Sequence, residues 1–229
     1  MPRIKAVFFD LDNCLAAADE AGRDLFRPAF EAMARANRAR LAPEVLDKAF
    51  ADCWRDSLDT VAARHGFAPD ITAAGWEIFR RLRVDRRLRG YGDLEALRTL
   101  PVPRFLVTSG FRALQESKIA ALGIEDLFSE ICIDAIDEPP RRGKTAIFRD
   151  LLQRHALAPH EALVVGDNPA SEIEAGNRLG MPTVQILRPG IARGANAAAY
   201  IETLAELHAL LEYPYAASAS PHSNKLSSA

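Results

Sequence analysis

Two aspartates that are one residue apart, Asp10 and Asp12, directly follow an apolar run near the start of the chain. Alternate side chains of an extended strand point to the same face, so the two carboxylates lie on one side. Carboxylates this close repel each other, and a bound cation or a shared proton relieves the repulsion. Both arrangements suit the movement of a phosphoryl group. The alternative is an ordinary strand end followed by a turn at Asn13.

Asp10 is the candidate nucleophile, because a carboxylate can attack phosphorus and form an aspartyl-phosphate. Asp12 is the candidate general acid and base, which protonates the leaving oxygen and then activates water. This role needs a raised pKa, and the neighbouring charge of Asp10 supplies part of the shift. Asp10 also suits a hard cation such as Mg²⁺, which prefers oxygen ligands.

The elements that must position these groups follow from the hydrophobic pattern. The continuously apolar strand at residues 4–10 is typical of a parallel sheet that is covered on both faces. Residues 16–90 carry apolar residues three and four apart and contain no convincing strand, which predicts an all-helical insert. From about residue 92, strands alternate with helices. Strands are predicted at 104–108, 129–134, 162–166 and 182–187, and helices at 93–100, 111–122, 144–155, 170–179 and 200–211.

This alternation predicts right-handed crossovers and an α/β fold with a doubly wound parallel sheet. We expect residues 1–15 and 91–213 to form the α/β core, with residues 16–90 inserted as a small separate domain. Residues 214–229 are rich in Ser, Ala and Pro and are expected to form a flexible tail.

Other polar groups follow later predicted strands, and ligands of a doubly wound sheet bind beyond the carboxyl ends of its strands. Asp167 follows the strand at 162–166 and is the candidate third metal ligand. Asn168 and Glu172 complete a small acidic cluster at the start of the next helix. Capping of that helix explains Glu172 equally well.

Thr108 ends the second predicted strand, and Ser109 and Gly110 are predicted to form the turn that follows it. Their hydroxyls and backbone N–H groups would cradle a phosphate at a helix N-terminus. The alternative is that Thr108 or Ser109 simply caps the helix.

Lys144, which opens a later helix, could pair with a phosphate oxygen and with the carboxylate of Asp10. The alternative is a solvated surface lysine. Arg141 and Arg142 stand beside it and could be mistaken for it.

Taken together, these segments resemble the haloacid dehalogenase-like (HAD) hydrolase superfamily over roughly residues 4–190. The resemblance implies a Rossmann-like core that uses Mg²⁺, a helical cap over the active site, Asp10 and Asp167 as metal ligands, and a backbone carbonyl ligand from Asp12. The four matching motifs are Asp10-Leu-Asp12-Asn-Cys-Leu, Val-Thr108-Ser-Gly, Arg-Gly-Lys144-Thr-Ala-Ile-Phe and Gly166-Asp167-Asn-Pro-Ala-Ser-Glu172.

Three positions depart from the pattern of the superfamily. Cys14 stands where Thr or Val is common, Glu172 stands where Asp is more usual, and no proline follows Lys144. The Asp-Asn-Cys-Leu run is similar to pyrimidine 5′-nucleotidases. The dehalogenase branch lacks an acid at the position of Asp12, so the acid here favours phosphoryl transfer.

The predicted function is therefore a Mg²⁺-dependent phosphatase that acts on a small phosphorylated metabolite, a nucleotide or a sugar phosphate. The alternatives are a phosphomutase and a non-catalytic phosphate-binding or signalling protein. Candidate substrate contacts on the insert are Arg23, Arg27, Trp54 and Arg55, although the arginines also fit a solvated helix face.

Composition limits the partners. The net charge of −2 gives no general attraction to nucleic acid or to acidic membranes. No apolar run reaches the roughly 18 residues of a membrane span. The first residues lead directly into a strand, and the three cysteines fit neither a disulfide framework nor a zinc site, so we expect a cytoplasmic protein. A monomer and a homodimer both remain open.

Overall fold

The structure is a computed structural model that describes residues 3–212. The predicted tail at 214–229 lies outside the described residues. Within them, six parallel strands form one sheet in the order β3-β2-β1-β4-β5-β6. The strands are β1 (Ala6–Phe9), β2 (Arg104–Gly110), β3 (Glu130–Ala135), β4 (Ala162–Gly166), β5 (Thr183–Ile186) and β6 (Ala199–Ile201). The chain winds outwards from β1 in both directions, which confirms the doubly wound, Rossmann-like α/β fold.

Strand β1 lies at the centre of the sheet, and its side chains fill both layers of the core. Val7 and Phe9 point into one apolar cluster, whereas Ala6 and Phe8 point into the other. The ring of Phe8 meets that of Phe105 edge to face at 5.1 Å. A strand buried on both faces requires an uninterrupted apolar sequence, and this requirement explains why the first polar residue marks its end.

Up to residue 212, where the described part of the chain ends, five α-helices follow the insert and flank the sheet. Gly123 and Gly180 end two of them in the left-handed conformation, with φ of 62° and 73°, as the sequence predicts. The helices are α5 (Glu95–Arg98), α6 (Arg112–Leu122), α7 (Gly143–Arg154), α8 (Glu174–Leu179) and α9 (Leu207–Glu212).

Two predicted elements are wrong. The predicted turn at Ser109 and Gly110 belongs to β2, because both residues pair with β3. The predicted helix at 200–211 begins with strand β6, and α9 starts only at Leu207. A capping box at Thr203, whose N–H donates to Glu206 Oε1 at 2.8 Å, starts the helical part instead.

Residues 16–90 contain helices and turns without a strand of the sheet. The apolar faces of these helices form a third cluster that includes Phe26, Met33 and Phe79. Phe111 at the start of α6 joins the cluster and stacks on Phe79, with ring centroids 5.5 Å apart. The insert therefore packs on the end of β2. Its helices are α1 (Arg27–Asn37), α2 (Pro43–Asp52), α3 (Leu58–His65) and α4 (Pro69–Phe79).

Arg188, which follows β5, joins the two chain segments that connect the insert to the core. Its guanidinium pairs with both carboxylate oxygens of Asp93, at 2.7 and 2.9 Å, on the returning segment. Its Nε donates to the carbonyl of Cys14 on the outgoing segment at 3.0 Å. The guanidinium also lies over the ring of Tyr91, 4.4 Å from the centroid. The buried side chain of Arg188 thus bonds to both chain segments that connect the insert to the core.

Gly75 allows α4 to approach α1 closely. A Cβ atom at this position would overlap the side chain of Met33, which is fully buried. Gly→Ala in a helix normally stabilises by about 0.5–1 kcal/mol. Here we expect Gly75→Ala to lower the free energy of unfolding in urea by about 1–3 kcal/mol, because the core is overpacked. Adding Met33→Ala to Gly75→Ala should cost less than the sum of the single changes. A Gly75→Ala variant at least as stable as wild type would contradict the packing.

Candidate active site

The site is built where the central strands β1 and β4 end side by side. Phe9 pairs with Val165, and the N–H of Asp10 donates to the carbonyl of Val165 at 3.0 Å. Asp10 and Asp167 follow these strands directly. Together with Glu172, they place one carboxylate oxygen each within 4.8 Å of the others. Residues more than 150 positions apart therefore meet beyond the carboxyl ends of the two central strands.

Lys144 lies in the middle of this cluster. Its Nζ is 2.8 Å from Asp10 Oδ1 and 2.8 Å from Glu172 Oε2, and the side chain is buried. Arg141, in contrast, pairs with Asp134 at 3.0 Å and with Asp59 of the insert. Lys144, and not Arg141, thus pairs with Asp10. Because its side chain is buried, the alternative that Lys144 is a solvated surface lysine is wrong.

Glu172 is held by the turn that follows β4. Its Oε1 accepts the N–H of Asn168 at 2.6 Å, while the Asn168 side chain caps the N–H of Ala170 at 3.0 Å. A Cβ atom at Gly166 would overlap Glu172, so this strand must end in glycine. Glu172 therefore accepts a backbone N–H at the start of the helix and also pairs with Lys144. It is both a capping residue and a member of the acidic cluster, the two interpretations that the sequence left open.

The electrostatics of the cluster favour an additional cation. Burial raises the pKa of Asp10 and Asp167 well above the usual range, and Glu172 adds to both shifts. Burial alone would lower the pKa of Lys144, but Asp10 and Glu172 outweigh it, so this lysine stays charged. One ammonium group facing three carboxylates leaves an excess of negative charge.

The donor set fits Mg²⁺. The carboxylate of Asp167 has no hydrogen bond or salt bridge within residues 3–212, while its backbone carbonyl is fixed by Gln185 Nε2 at 2.8 Å. A hard divalent ion prefers carboxylate and carbonyl oxygens and keeps several waters. Asp10 and Asp167 can supply the carboxylates.

We expect Mg²⁺ to raise the melting temperature, with a stabilisation of about 2.7 kcal/mol at roughly one hundred times Kd. Without Mg²⁺, the raised pKa values of Asp10 and Asp167 mean that the folded protein binds more protons, so stability falls as pH rises through those values. The ligands must be deprotonated, so the Mg²⁺ effect should be larger at about pH 8 than at about pH 5. Scanning fluorimetry with and without Mg²⁺ at several pH values measures these effects on the melting temperature. A rise in melting temperature with Mg²⁺ that persists in Asp167→Asn would contradict the assignment of Asp167 as a metal ligand.

The candidate phosphate-binding residues lie at the end of β2. Thr108 is 1% exposed, and its Oγ1 accepts from Gln115 at 2.8 Å. Ser109 Oγ donates to Asp134 at 3.2 Å. Neither caps α6, whose N-cap residue is Phe111, so the capping alternative is wrong. Thr108, Ser109 and Gly110 instead line the cavity beside Asp10.

A cavity of about 250 Å³ separates this edge of the sheet from the insert. The segment 53–58 and the rings of Phe26 and Phe79 form its insert side. Arg55 lines the cavity and donates to the carbonyl of Gly190 at 2.7 Å. Beside the cavity, three further polar contacts join the core to residues 54–59 of the insert: Asn13 Nδ2 to the Trp54 carbonyl at 3.3 Å, Asn168 Nδ2 to Asp56 Oδ1 at 3.3 Å, and Arg141 to Asp59.

Two of the four candidate contacts on the insert fit the alternative of a solvated helix face, and two polar residues of the core were not predicted. Arg23 and Arg27 are exposed and do not line this cavity, whereas Trp54 does. Gln115 and Lys118 of α6 both bond to Asp12. They occupy the buried face of α6 together with apolar residues, and polar residues at such positions are the signal that could have revealed them.

Within residues 3–212, no helix is both long enough and apolar enough to traverse a bilayer.

The chain is similar in sequence to proteins named as phosphatases. The chain is 29% identical over 202 residues to a glyceraldehyde 3-phosphate phosphatase of Methanopyrus kandleri, covering 81% of this chain and 84% of that protein. It is 32% identical over 134 residues to a phosphoserine phosphatase of Thermus thermophilus, covering 54% of this chain and 51% of that protein.

Solved structures share the fold. A HAD phosphatase from Thermococcus onnurineus superposes with a TM-score of 0.60 at 22% identity, over 91% of this chain and 98% of that one. The family model described as haloacid dehalogenase-like hydrolase matches residues 4–180, which include the insert and all four motifs. The chain therefore belongs to the haloacid dehalogenase-like hydrolase family.

Proposed function

We propose that this hydrolase is a Mg²⁺-dependent phosphatase that cleaves a small phosphomonoester through an aspartyl-phosphate on Asp10. One observation carries the proposal: Asp10, Asp167 and Glu172 converge around Lys144 at the edge of the sheet, with Asp12 in the same cavity. The relatives named as phosphatases of triose phosphate and phosphoserine support the same class of reaction.

In the first step, Asp10 attacks phosphorus, and the bond from phosphorus to the leaving oxygen breaks while Asp12 donates a proton to that oxygen. In the second step, Asp12 takes a proton from a water that attacks the same phosphorus, and Asp10 leaves as a carboxylate. Lys144 offsets negative charge on Asp10 and on the phosphoryl oxygens. Thr108 and Ser109 offer hydroxyls to those oxygens. Bound Mg²⁺ would supply further neutralisation of charge and orient the phosphate.

The helical insert acts as a cap in this proposal and selects the substrate. A cavity of about 250 Å³ has room for a phosphate that carries a small organic group. Triose phosphate and phosphoserine enter the candidate substrates through the relatives. Nucleoside monophosphates enter through the Asp-Asn-Cys-Leu run. Trp54 and Arg55, which line the cavity, are the proposed contacts of the organic group.

A panel of phosphorylated metabolites tests the proposal by release of inorganic phosphate, with Mg²⁺ and with a chelator. We expect release from at least one small phosphomonoester and its loss with the chelator. Formation of an isomeric phosphate without net release would instead identify a phosphomutase. Absence of turnover across a broad panel, with Mg²⁺ present, would contradict both activities.

A further inference from the structure

Two polar side chains of α6 are buried without a role in the chemistry described so far. Gln115 is 2% exposed and Lys118 is 6% exposed. They are three residues apart, so they share one face of the helix. A buried ammonium group is costly unless a partner of opposite charge and hydrogen bonds compensate it. Their position must therefore be explained by what they contact.

Both side chains end at the carboxylate of Asp12. Lys118 Nζ is 2.6 Å from Asp12 Oδ1, and Gln115 Nε2 is 2.9 Å from Asp12 Oδ2. Each oxygen of the carboxylate thus has its own donor, and two donors at fixed positions define the plane of the carboxyl group. Either oxygen keeps a lone pair after protonation, so the contacts are compatible with the acid and with the base form.

Gln115 also connects Asp12 with the phosphate side of the cavity. Its Nε2 lies 2.8 Å from Thr108 Oγ1 and 2.9 Å from the carbonyl of Ser109. The two hydrogens of the amide are shared among three acceptors, which are the Asp12 carboxylate, the Thr108 hydroxyl and the Ser109 carbonyl. A hydroxyl that accepts a hydrogen bond keeps its own proton, so Thr108 can still donate. A Cβ atom at Gly110 would lie 3.1 Å from Gln115 Nε2, so the glycine makes room for this amide.

We propose that Gln115 and Lys118 are positioning residues for Asp12, which hold its carboxyl group toward the leaving oxygen and then toward the attacking water. The inference rests on the proposed phosphatase activity. Neither residue contacts Asp10, Asp167 or Glu172 by a hydrogen bond within the described part of the chain, so their effect must pass through Asp12 or Thr108.

The test compares kcat/KM of Lys118→Met with that of wild type on two substrates. For p-nitrophenyl phosphate the leaving phenolate needs little protonation, whereas for glycerol phosphate the leaving alkoxide needs a well-placed acid. We expect a loss of about 10²-fold for glycerol phosphate, a clearly smaller loss for p-nitrophenyl phosphate, and a nearly unchanged KM. Lys118→Arg should recover part of the loss, because it restores a charged donor.

Lys48→Met on the exposed surface of α2 is the matched control and should behave like wild type. Gln115→Leu carries the same prediction should Lys118→Met lose its folded structure. Equal losses for both substrates without recovery in Lys118→Arg would overturn the positioning role, as would an unchanged kcat/KM. If wild type turns over neither ester nor any other phosphomonoester, the proposed activity itself fails, and the positioning role fails with it.

Discussion

Asp10→Asn should abolish phosphatase turnover, lowering kcat by roughly 10⁴-fold or more. An amide has the size of the carboxylate but is a far poorer nucleophile toward phosphorus. The change also removes one of the three buried carboxylates that surround Lys144. Steady-state phosphate release with Mg²⁺ measures the effect, with any substrate that wild type turns over.

Because Asp10→Asn removes a charge whose burial is unfavourable, the variant should remain folded and melt no earlier than wild type without Mg²⁺. Loss of activity is then separable from loss of structure. Asp47→Asn on the exposed face of α2 makes the same chemical change away from the cavity and should keep full activity. Turnover of the Asp10→Asn variant within about tenfold of wild type would contradict a nucleophilic role.

Arg188→Met should lower the free energy of unfolding by about 3–5 kcal/mol, because it leaves the carboxylate of Asp93 partly buried without its partner. The same change removes the hydrogen bonds of Arg188 to the carbonyls of Cys14 and Glu202. Urea denaturation measures the loss. Since Cys14 and Asp93 flank the insert, we also expect the connection between insert and core to become more accessible to proteases.

Arg193→Met is the matched control for this prediction. Arg193 is exposed and lies over the ring of Tyr200 at 3.7 Å, a contact that contributes about 0.5–1 kcal/mol. Adding Asp93→Asn to Arg188→Met should restore part of the stability, because the unpaired charge is removed as well. A loss below about 1 kcal/mol for Arg188→Met would show that the contacts of Arg188 with Asp93 and Cys14 do not stabilise the fold.

Much of the fold could be predicted from the sequence because its determinants are local. The apolar run of β1 ends where Asp10 begins, and Gly123 and Gly180 mark helix ends. The sheet order then places the ends of β1 and β4 together without further information. For this reason the proximity of Asp10 and Asp167, which are far apart in the sequence, could be anticipated.

Other features depend on contacts that a local pattern does not encode. Strand β6 has three residues, and only its pairing with β5 distinguishes it from the start of a helix. Arg188 bonds to Cys14, 174 positions earlier, and to Asp93, 95 positions earlier. Gln115 and Lys118 stand among the apolar residues of α6, but only the packing of α6 against β2 shows that both reach Asp12.

The central claim is that a phosphoryl group passes through Asp10. Its most direct test is acid quenching of wild-type enzyme during turnover, followed by borohydride reduction and peptide mass spectrometry, since reduction of an aspartyl-phosphate leaves homoserine at the modified position. We expect homoserine at residue 10 only when substrate and Mg²⁺ are both present. Rapid turnover with an unmodified residue 10, or with homoserine at another aspartate, would contradict the mechanism.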